Sequence, residues 1–240
     1  MKSLIIIPVR FNSTRLPGKP MKLICGKPMI QWVYEQCLKS NADNVVVATD
    51  SETIKNHMES IGCDVYMTGD VDSGTNRILE CVKLNKELQE YSSIINVQGD
   101  EPFIDPEDIN QVIISTKRNS SDISTLVTKL KPIEYSNRNV VKAYINSRRE
   151  VLMFTRSNLY GQIKSFYKHL GIYGYNIKVL ELISKMSKTS SESIDNLEQL
   201  RWLDNGLSIK SSYTDSPSIG VDTQKDLDNA IIFAQNEFQS

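Results

Sequence analysis

A 240-residue chain with 24% charged and 40% apolar residues has the composition of an ordinary globular protein, and at this length it can bury about 70–75% of its unfolded surface without staples. Its formal net charge of −1 argues against the broad basic surface of a general nucleic-acid binder, and no apolar run approaches the length of a membrane span. Met1-Lys2-Ser3 leads straight into an apolar run with no signal-peptide cleavage pattern, so a cytoplasmic location is expected.

Leu4–Val9 reads as a buried first strand. Pro28–Lys39 is helix-like, with Ile30, Val33, Tyr34 and Cys37 on one face. Val45–Thr49 is a second strand, and Ser51 is placed to cap a helix over Ser51–Ile61. Val65–Met67 is a short third strand, Asp72–Leu88 a helix, and Ile94–Gln98 a fourth strand. Pro106–Lys117 is another helix, its proline at the start, where a missing N–H costs little. This βαβαβ rhythm predicts an α/β fold with a parallel sheet and helices on both faces. In the second half, Ile123–Lys131, Val140–Asn146, Val151–Thr155 and Gly171–Tyr175 read as strands without intervening helices, so a mixed region is expected. Ser191–Asp204 reads as a helix, with Leu197, Leu200 and Leu203 at near-helical spacing and Asn205-Gly206 as its stop. Ile209–Tyr213 is a last strand and Thr223–Phe238 a closing helix, while the serine-rich Ser184–Ser193 reads as a flexible joint. Cys25, Cys37, Cys63 and Cys81 form no C-x-x-C pair, and His57 and His169 are far apart. That spacing argues against zinc and for free thiols in a reducing compartment.

Charge is distributed unevenly. Six cations and no acid precede Glu35, and three of the six lie in RFNSTRLPGKP, the loop from Arg10 to Pro20 that follows the first strand. Arg10, Arg15 and Lys19 are held by Pro8, Pro17, Gly18 and Pro20, with the hydroxyls of Ser13 and Thr14 beside them. Arginine forks match phosphate oxygens and lysine supplies a point charge. The Walker pattern is absent: Ser13 stands at the first glycine position, and Pro20 follows Gly18-Lys19. A short basic cluster is commonly a solvated loop. This one follows a first strand in an α/β pattern, where ligands bind, so a phosphate site is the better reading.

Two acidic strings belong with that loop. NVQGDEP, Asn96–Pro102, follows the apolar Ile94-Ile95, and Asp100 is a candidate magnesium ligand, since a carboxylate facing a triphosphate needs a cation between them. A simple turn aspartate is the alternative. SIGVDT, Ser218–Thr223, ends a short apolar step at Asp222, which could instead merely cap the closing helix. SGTNR, Ser73–Arg77, opens a helix and could meet a base or ribose, or act only as a cap. In HLGIYGY, strand periodicity puts His169, Gly171 and Tyr173 on one face, where a lone histidine is commonly structural. Glu198-Gln199 would by default lie on a solvated helix face.

Together these strings resemble the 3-deoxy-D-manno-octulosonate cytidylyltransferases. RFNSTRLPGKP, SGTNR, NVQGDEP, HLGIYGY, LEQLR (Leu197–Arg201) and VDTQKDL (Val221–Leu227) occur in that family's order and at similar spacing. The first loop is shared with other sugar nucleotidyltransferases; its combination with HLGIYGY and LEQLR is more specific. The resemblance implies a single Rossmann-like nucleotidyltransferase domain over 1–240, with a mixed, mostly parallel sheet and a small dimerisation and sugar-site lobe over 132–190. It implies a homodimer with two magnesium ions that transfers CMP from CTP to the anomeric hydroxyl of an eight-carbon ulosonic acid, Kdo or its 8-amino analogue. Pyrophosphate would be released and the activated sugar would serve lipopolysaccharide biosynthesis. By position, Pro8, Arg10, Arg15, Lys19, Ser73, Thr75 and Arg77 would hold CTP, and Asp100 and Asp222 magnesium. Arg10, Arg15, Lys19, Asp100 and Asp222 would form the catalytic set, and Gln98, His169, Tyr173, Glu198 and Gln199 would line the sugar-acid site. Such a reaction needs charge neutralisation and in-line placement more than covalent help.

One stretch departs from the family pattern. Phe154-Thr155-Arg156 matches its Phe-Ser-Arg, but the Ile-Pro that usually follows is Leu159-Tyr160, and the connection to His169 is short. This leaves Kdo and its 8-amino analogue both open. Two other readings remain: a metal-dependent glycosyltransferase using Asp70-Val71-Asp72, which the triphosphate-like loop disfavours, and a non-catalytic nucleotide-binding relative.

Overall fold

A computed structural model describes residues 2–118, 120–159, 164–216 and 219–238. Tyr160 and the connection through residue 163, and Ser218, therefore lie outside the described residues. The first half alternates as its apolar runs demand: β1 (Ser3–Val9), the small hairpin β2 (Leu23–Ile24) and β3 (Lys27–Pro28), α1 (Met29–Leu38), β4 (Asn44–Thr49), α2 (Glu52–Ser60), β5 (Asp64–Met67), α3 (Gly74–Leu84), β6 (Ser93–Val97) and α4 (Pro106–Lys117). Then follow β7 (Ile123–Lys129), β8 (Lys142–Ile145), β9 (Val151–Thr155), β10 (Phe166–Tyr175), α5 (Ile177–Ile183), α6 (Ser190–Asp195), α7 (Glu198–Asp204), β11 (Ile209–Thr214) and α8 (Gln224–Phe238).

The main sheet has the order β11-β7-β10-β6-β1-β4-β5, with β8 paired to β10 and β9 to β8. Along that path only β10 runs against its neighbours. β1 is buried at every position, as a central strand covered on both faces must be. One face packs Ile30, Val33 and Cys37 of α1, Ile54 and Met58 of α2, and Ile109, Val112 and Ile113 of α4. The other packs Ile78 and Val82 of α3, Leu180 and Ile183 of α5, and Leu200 and Trp202 of α7. A third cluster joins Leu16 of the first loop, Val221, and Leu227, Ala230 and Ala234 of α8 to Trp32 and Phe103. This cluster anchors both the basic loop and the approach to Asp222.

The capping chemistry is local. Ser51 accepts from Ile54 N, Ser73 from Asn76 N and Asp105 from Glu107 N. Several boundaries differ from the sequence expectation. The helix expected over Asp72–Leu88 stops at Leu84, because Asn85 turns extended and its amide donates to Cys81 O at 2.7 Å. Lys86–Glu90 continues as a separate 3-10 turn. The helix expected over Ser191–Asp204 is two, broken where Asn196 takes a left-handed φ of 53°, which asparagine tolerates better than most residues. α5 was not expected in the mixed region; Asn176 caps it by accepting from Val179 N. Nor is Ser184–Ser193 simply a joint: Thr189 and Glu192 form a capping box, and Glu192 takes Arg201 at 2.6 and 2.8 Å, tying α6 to α7. The four cysteines are free, and burial pushes the Cys63 and Cys81 thiols up to about 12.

β10 lies tight against α4. A Cβ at Gly174 would collide with Thr116 Oγ1 and lie 2.9 Å from Val112 Cγ1. Gly174→Ala is expected to lower unfolding free energy by about 1–3 kcal/mol through overpacking. Urea denaturation checks this, and an unchanged midpoint would mean that α4 gives way freely.

Candidate active site

The basic loop leaves β1 at its carboxyl end, and its second half is rigid. Gly18 has φ 65°, Lys19 N donates to Leu16 O at 3.0 Å, and Lys19–Met21 forms a 3-10 turn with Pro20 near its start. Burial of Leu16 beneath this turn contributes about 1.5–3 kcal/mol and aims Lys19 inward. Its Nζ donates to Asp100 Oδ2 at 2.7 Å and to Asp222 Oδ1 at 3.0 Å. Arg15 Nη2 donates to the same Asp222 oxygen at 2.9 Å. The Lys19 side chain is 14% exposed and that of Arg15 53%. Burial pulls the Lys19 pKa down, but the Asp100 and Asp222 carboxylates outweigh it, and the net direction is upward.

Both aspartates have a local alternative that the geometry decides. Asp100 does lie in a turn, where Glu101 N donates to Gln98 O, but its carboxylate is spent on Lys19. Capping of α8 falls to Thr223 and Asp226: Thr223 N donates to Asp226 Oδ2 at 2.9 Å, and Asp226 N to Thr223 Oγ1 at 3.3 Å. Asp222 is thereby released from capping. Val221 N donates to Asp100 O at 2.9 Å, which ties the two acidic loops together.

Two neighbouring cavities meet at these carboxylates. The first, about 280 Å³, is lined by Pro8, Arg10, Arg15, Lys19, Ser73 and Arg77, among others. The second, about 590 Å³, takes in Thr75, His169, Tyr173, Glu198 and Gln199. Gly74, Gln98, Asp100 and Asp222 border both. Gly74 permits this junction, since a Cβ there would lie 3.3 Å from Pro8 Cγ. Thr75, expected beside the nucleotide, instead faces the second cavity. Arg77 is buried at the first, donating to Asp50 Oδ2 at 2.7 Å, to Gly69 O at 3.3 Å and to Thr68 Oγ1. Of the Asp-x-Asp pair, Asp72 borders the first cavity and Asp70 is exposed outside its lining.

The family model described as Cytidylyltransferase matches residues 4–210. The chain belongs to this family. It is 45% identical to a 3-deoxy-manno-octulosonate cytidylyltransferase of Fusobacterium nucleatum over 96% of each chain. Identity to a 3-deoxy-manno-octulosonate cytidylyltransferase of Parabacteroides distasonis is 41%, over 98% of this chain and 99% of the relative. A solved CMP:2-keto-3-deoxy-manno-octonic acid synthetase complexed with CTP superposes with a TM-score of 0.92 at 34% identity, covering 99% of this chain and 100% of the other. The mixed, mostly parallel Rossmann-like sheet is thus the nucleotidyltransferase fold, as expected.

In this cytidylyltransferase the second cavity is lined mainly by polar side chains. Because β10 is antiparallel and pairs Ile172 with Val97, the residues before Ile172 project past the end of β6, carrying His169 over the seam. The register shift between Leu170 and Tyr173 inserts two residues relative to β7, an even number, so His169 and Tyr173 keep one face, their rings 5.4 Å apart. Gln199 Nε2 donates to Tyr173 Oη, while Gln199 Oε1 is buried without a partner. Burial raises the Tyr173 phenol, which therefore stays protonated. Arg156 also lines this cavity; its Nη1 donates to Arg138 O and Asn139 O, each at 3.1 Å. Arg156 lies in Phe154-Thr155-Arg156, whose sequence alone points to no site role for it. A lone cation at a strand end was the available signal.

His169 is buried, and its Nε2 lies 3.0 Å from Thr125 Oγ1, whose proton goes to Ile172 O at 2.8 Å. The ring nitrogen is therefore the donor in that contact. Burial, with a smaller push from Arg156, lowers the His169 pKa from 6.5 to about 3, so the ring is neutral at physiological pH. The folded pKa lies below the unfolded one. Between these values the unfolded chain takes up a proton that the folded chain refuses, and stability falls with pH, by about 1.4 kcal/mol per unit for this group. Urea unfolding of wild type and His169→Gln at pH 7, 6 and 5 checks this. The variant is expected to have the shallower slope, and parallel slopes would contradict the assignment.

Proposed function

We propose that this cytidylyltransferase transfers CMP from CTP to the anomeric hydroxyl of 3-deoxy-D-manno-octulosonate, releasing pyrophosphate. The names of its full-length relatives support the substrate pair, and the observation that carries the reading is the seam: two carboxylates stand where a cationic cavity meets a polar one. CTP lies in the first cavity, its triphosphate along Arg10, Arg15 and Lys19, with Pro8, Ser73 and Arg77 around the nucleotide. The sugar acid lies in the second, its carboxylate toward Arg156 and its hydroxyls toward Gln98, His169, Tyr173, Glu198 and the open acceptor of Gln199. The anomeric hydroxyl gives up its proton to water as its oxygen bonds to the α-phosphorus, the bond from that phosphorus to the α–β bridging oxygen breaks, and pyrophosphate leaves with the electron pair. No covalent enzyme intermediate is needed; orientation and charge stabilisation suffice.

Asp100 and Asp222 suit magnesium. Their oxygens converge on one ammonium, which makes a single cation position between them accessible to both. Among the described residues no cluster of three ligating side chains exists, so phosphates and water would complete the shell, as is usual for this ion. Bound there, magnesium would neutralise charge on the phosphates and acidify the attacking hydroxyl.

The homodimer is also part of this reading. A bulge between β8 and β9 turns Leu152 and Met153 both outward beside Tyr144, whose ring meets Phe166 at 5.2 Å. This apolar patch suits a second copy of the chain. No helix among the described residues is long and apolar enough to cross a membrane. A location in the cytoplasm, where CTP is made, and a supply of activated sugar for lipopolysaccharide complete the proposal.

Pyrophosphate release from CTP with Kdo and with 8-amino-Kdo tests it. Release with either acid, dependent on CTP and a divalent cation, is expected; none above background, or transfer from a ready-made nucleotide sugar without CTP, would overturn it. Asp100→Asn should cut kcat by about 10²–10³-fold with the thermal midpoint preserved, and Arg15→Ala should lower kcat/KM by a similar factor, the usual scale for losing one charge stabiliser. An Asp100→Asn enzyme of near wild-type rate would remove that residue from the metal role.

A further inference from the structure

Thr75 and Glu198 join two elements far apart in sequence. Thr75 sits in the first turn of α3, buried, and its Oγ1 donates to Glu198 Oε2 at 2.7 Å. Ser73 Oγ donates to the other oxygen, Glu198 Oε1, at 3.1 Å, while accepting from Asn76 N as the helix cap. Both oxygens of Glu198 are thus fixed by hydroxyls of one helical turn. Each carboxylate oxygen keeps a further acceptor position, and Glu198 lines the second cavity. The nearest cation on its own helix, Arg201, is spent on Glu192.

We propose that Thr75 is a positioning residue for the sugar acid rather than a nucleotide contact: its hydroxyl holds the Glu198 carboxylate in the orientation that accepts the substrate's hydroxyl protons. This rests on the second cavity being the sugar-acid site. The chemistry is that of a polyol, whose O–H groups donate to fixed oxygens and lose affinity when those oxygens turn away. The SGTNR segment then serves both substrates. Ser73 and Arg77 border the first cavity, and Thr75, one helical step away, points through the sheet edge to the second.

The arrangement also carries a pH signature. Burial raises the Glu198 pKa, while the Thr75 and Ser73 hydroxyls and the charge of Arg201 hold it down and Glu192 pushes it up. Tyr173 and Tyr175 face it from β10, both kept neutral by burial. Removing the Thr75 hydroxyl therefore moves the acidic limb of sugar-acid kcat/KM to higher pH.

The test is steady-state kinetics of wild type, Thr75→Val, Thr75→Ser and Glu198→Gln, varying CTP and Kdo separately across pH. Wild-type turnover first establishes the sugar-acid reading, and its absence would defeat that reading rather than this one. Thr75→Val should raise the KM for Kdo about tenfold or more, the scale of one hydrogen bond to a charged group, with the KM for CTP held within about twofold. Thr75→Ser should restore most of the loss, and Thr75→Val made in the Glu198→Gln background should add little further. A rise in the CTP KM with the Kdo KM unchanged would overturn the proposal, as would additive losses in the double variant. If Thr75→Val does not fold, Thr75→Ala removes the same hydroxyl and takes its place: its acidic limb is expected at higher pH than that of wild type and Thr75→Ser, and an unmoved limb would overturn the proposal.

Discussion

The ammonium of Lys19 lies between Asp100 and Asp222, and the arrangement of the site follows from that contact. It draws together three loops from distant parts of the chain, each leaving the same edge of the sheet. Apolar packing brings them into reach: Leu16 and Val221 are buried in one cluster with α8, and Val221 N is bonded to Asp100 O. The charges themselves add modest stability, since Arg15 is largely exposed and exposed ion pairs contribute about 1 kcal/mol or less. Their importance lies in placing opposite charge at the junction of two cavities.

At that junction the protein is already neutral. Arg15 and Lys19 pair with Asp100 and Asp222, so two of the cations that first suggested a phosphate loop are matched by carboxylates. A triphosphate entering the first cavity brings charge that Arg10 alone does not balance. A divalent ion held by Asp100 and Asp222 would supply positive charge there. The second cavity stays poised by neutral groups, with His169 and Tyr173 both uncharged and held by burial.

Much of this was legible in the sequence wherever a local cause acts. Ser51, Ser73 and Pro106 mark helix starts through their own side chains, and the apolar run Leu4–Val9 reads as a buried strand, which β1 is. The single helix expected over Ser191–Asp204 failed because Leu197, Leu200 and Leu203 mark only the part after Asn196, where the backbone turns left-handed and divides α6 from α7. α5 was hidden because a short helix after a long strand carries too few turns to display a period. The resemblance grouped Thr75 with Ser73 and Arg77 at the nucleotide, whereas Thr75 lines the second cavity. Thr75 and Ser73 are two residues apart, and only the tertiary placement of α7 shows that both hydroxyls meet Glu198. The release of Asp222 from capping was equally invisible, since Asp226 is as good a cap by composition.

The proposed site for a divalent cation between Asp100 and Asp222 would bring the ion near both substrates. Its most direct test is manganese-induced line broadening in the ternary complex, with a non-hydrolysable CTP analogue and carbon-labelled Kdo. Manganese is expected to broaden the anomeric-carbon resonance in the wild type and not when Asp100 and Asp222 are both changed to asparagine, while the α-phosphorus is broadened in both because the nucleotide itself binds the ion. Broadening of the phosphorus alone in the wild type, or anomeric-carbon broadening that persists in the double variant, would rule the site out.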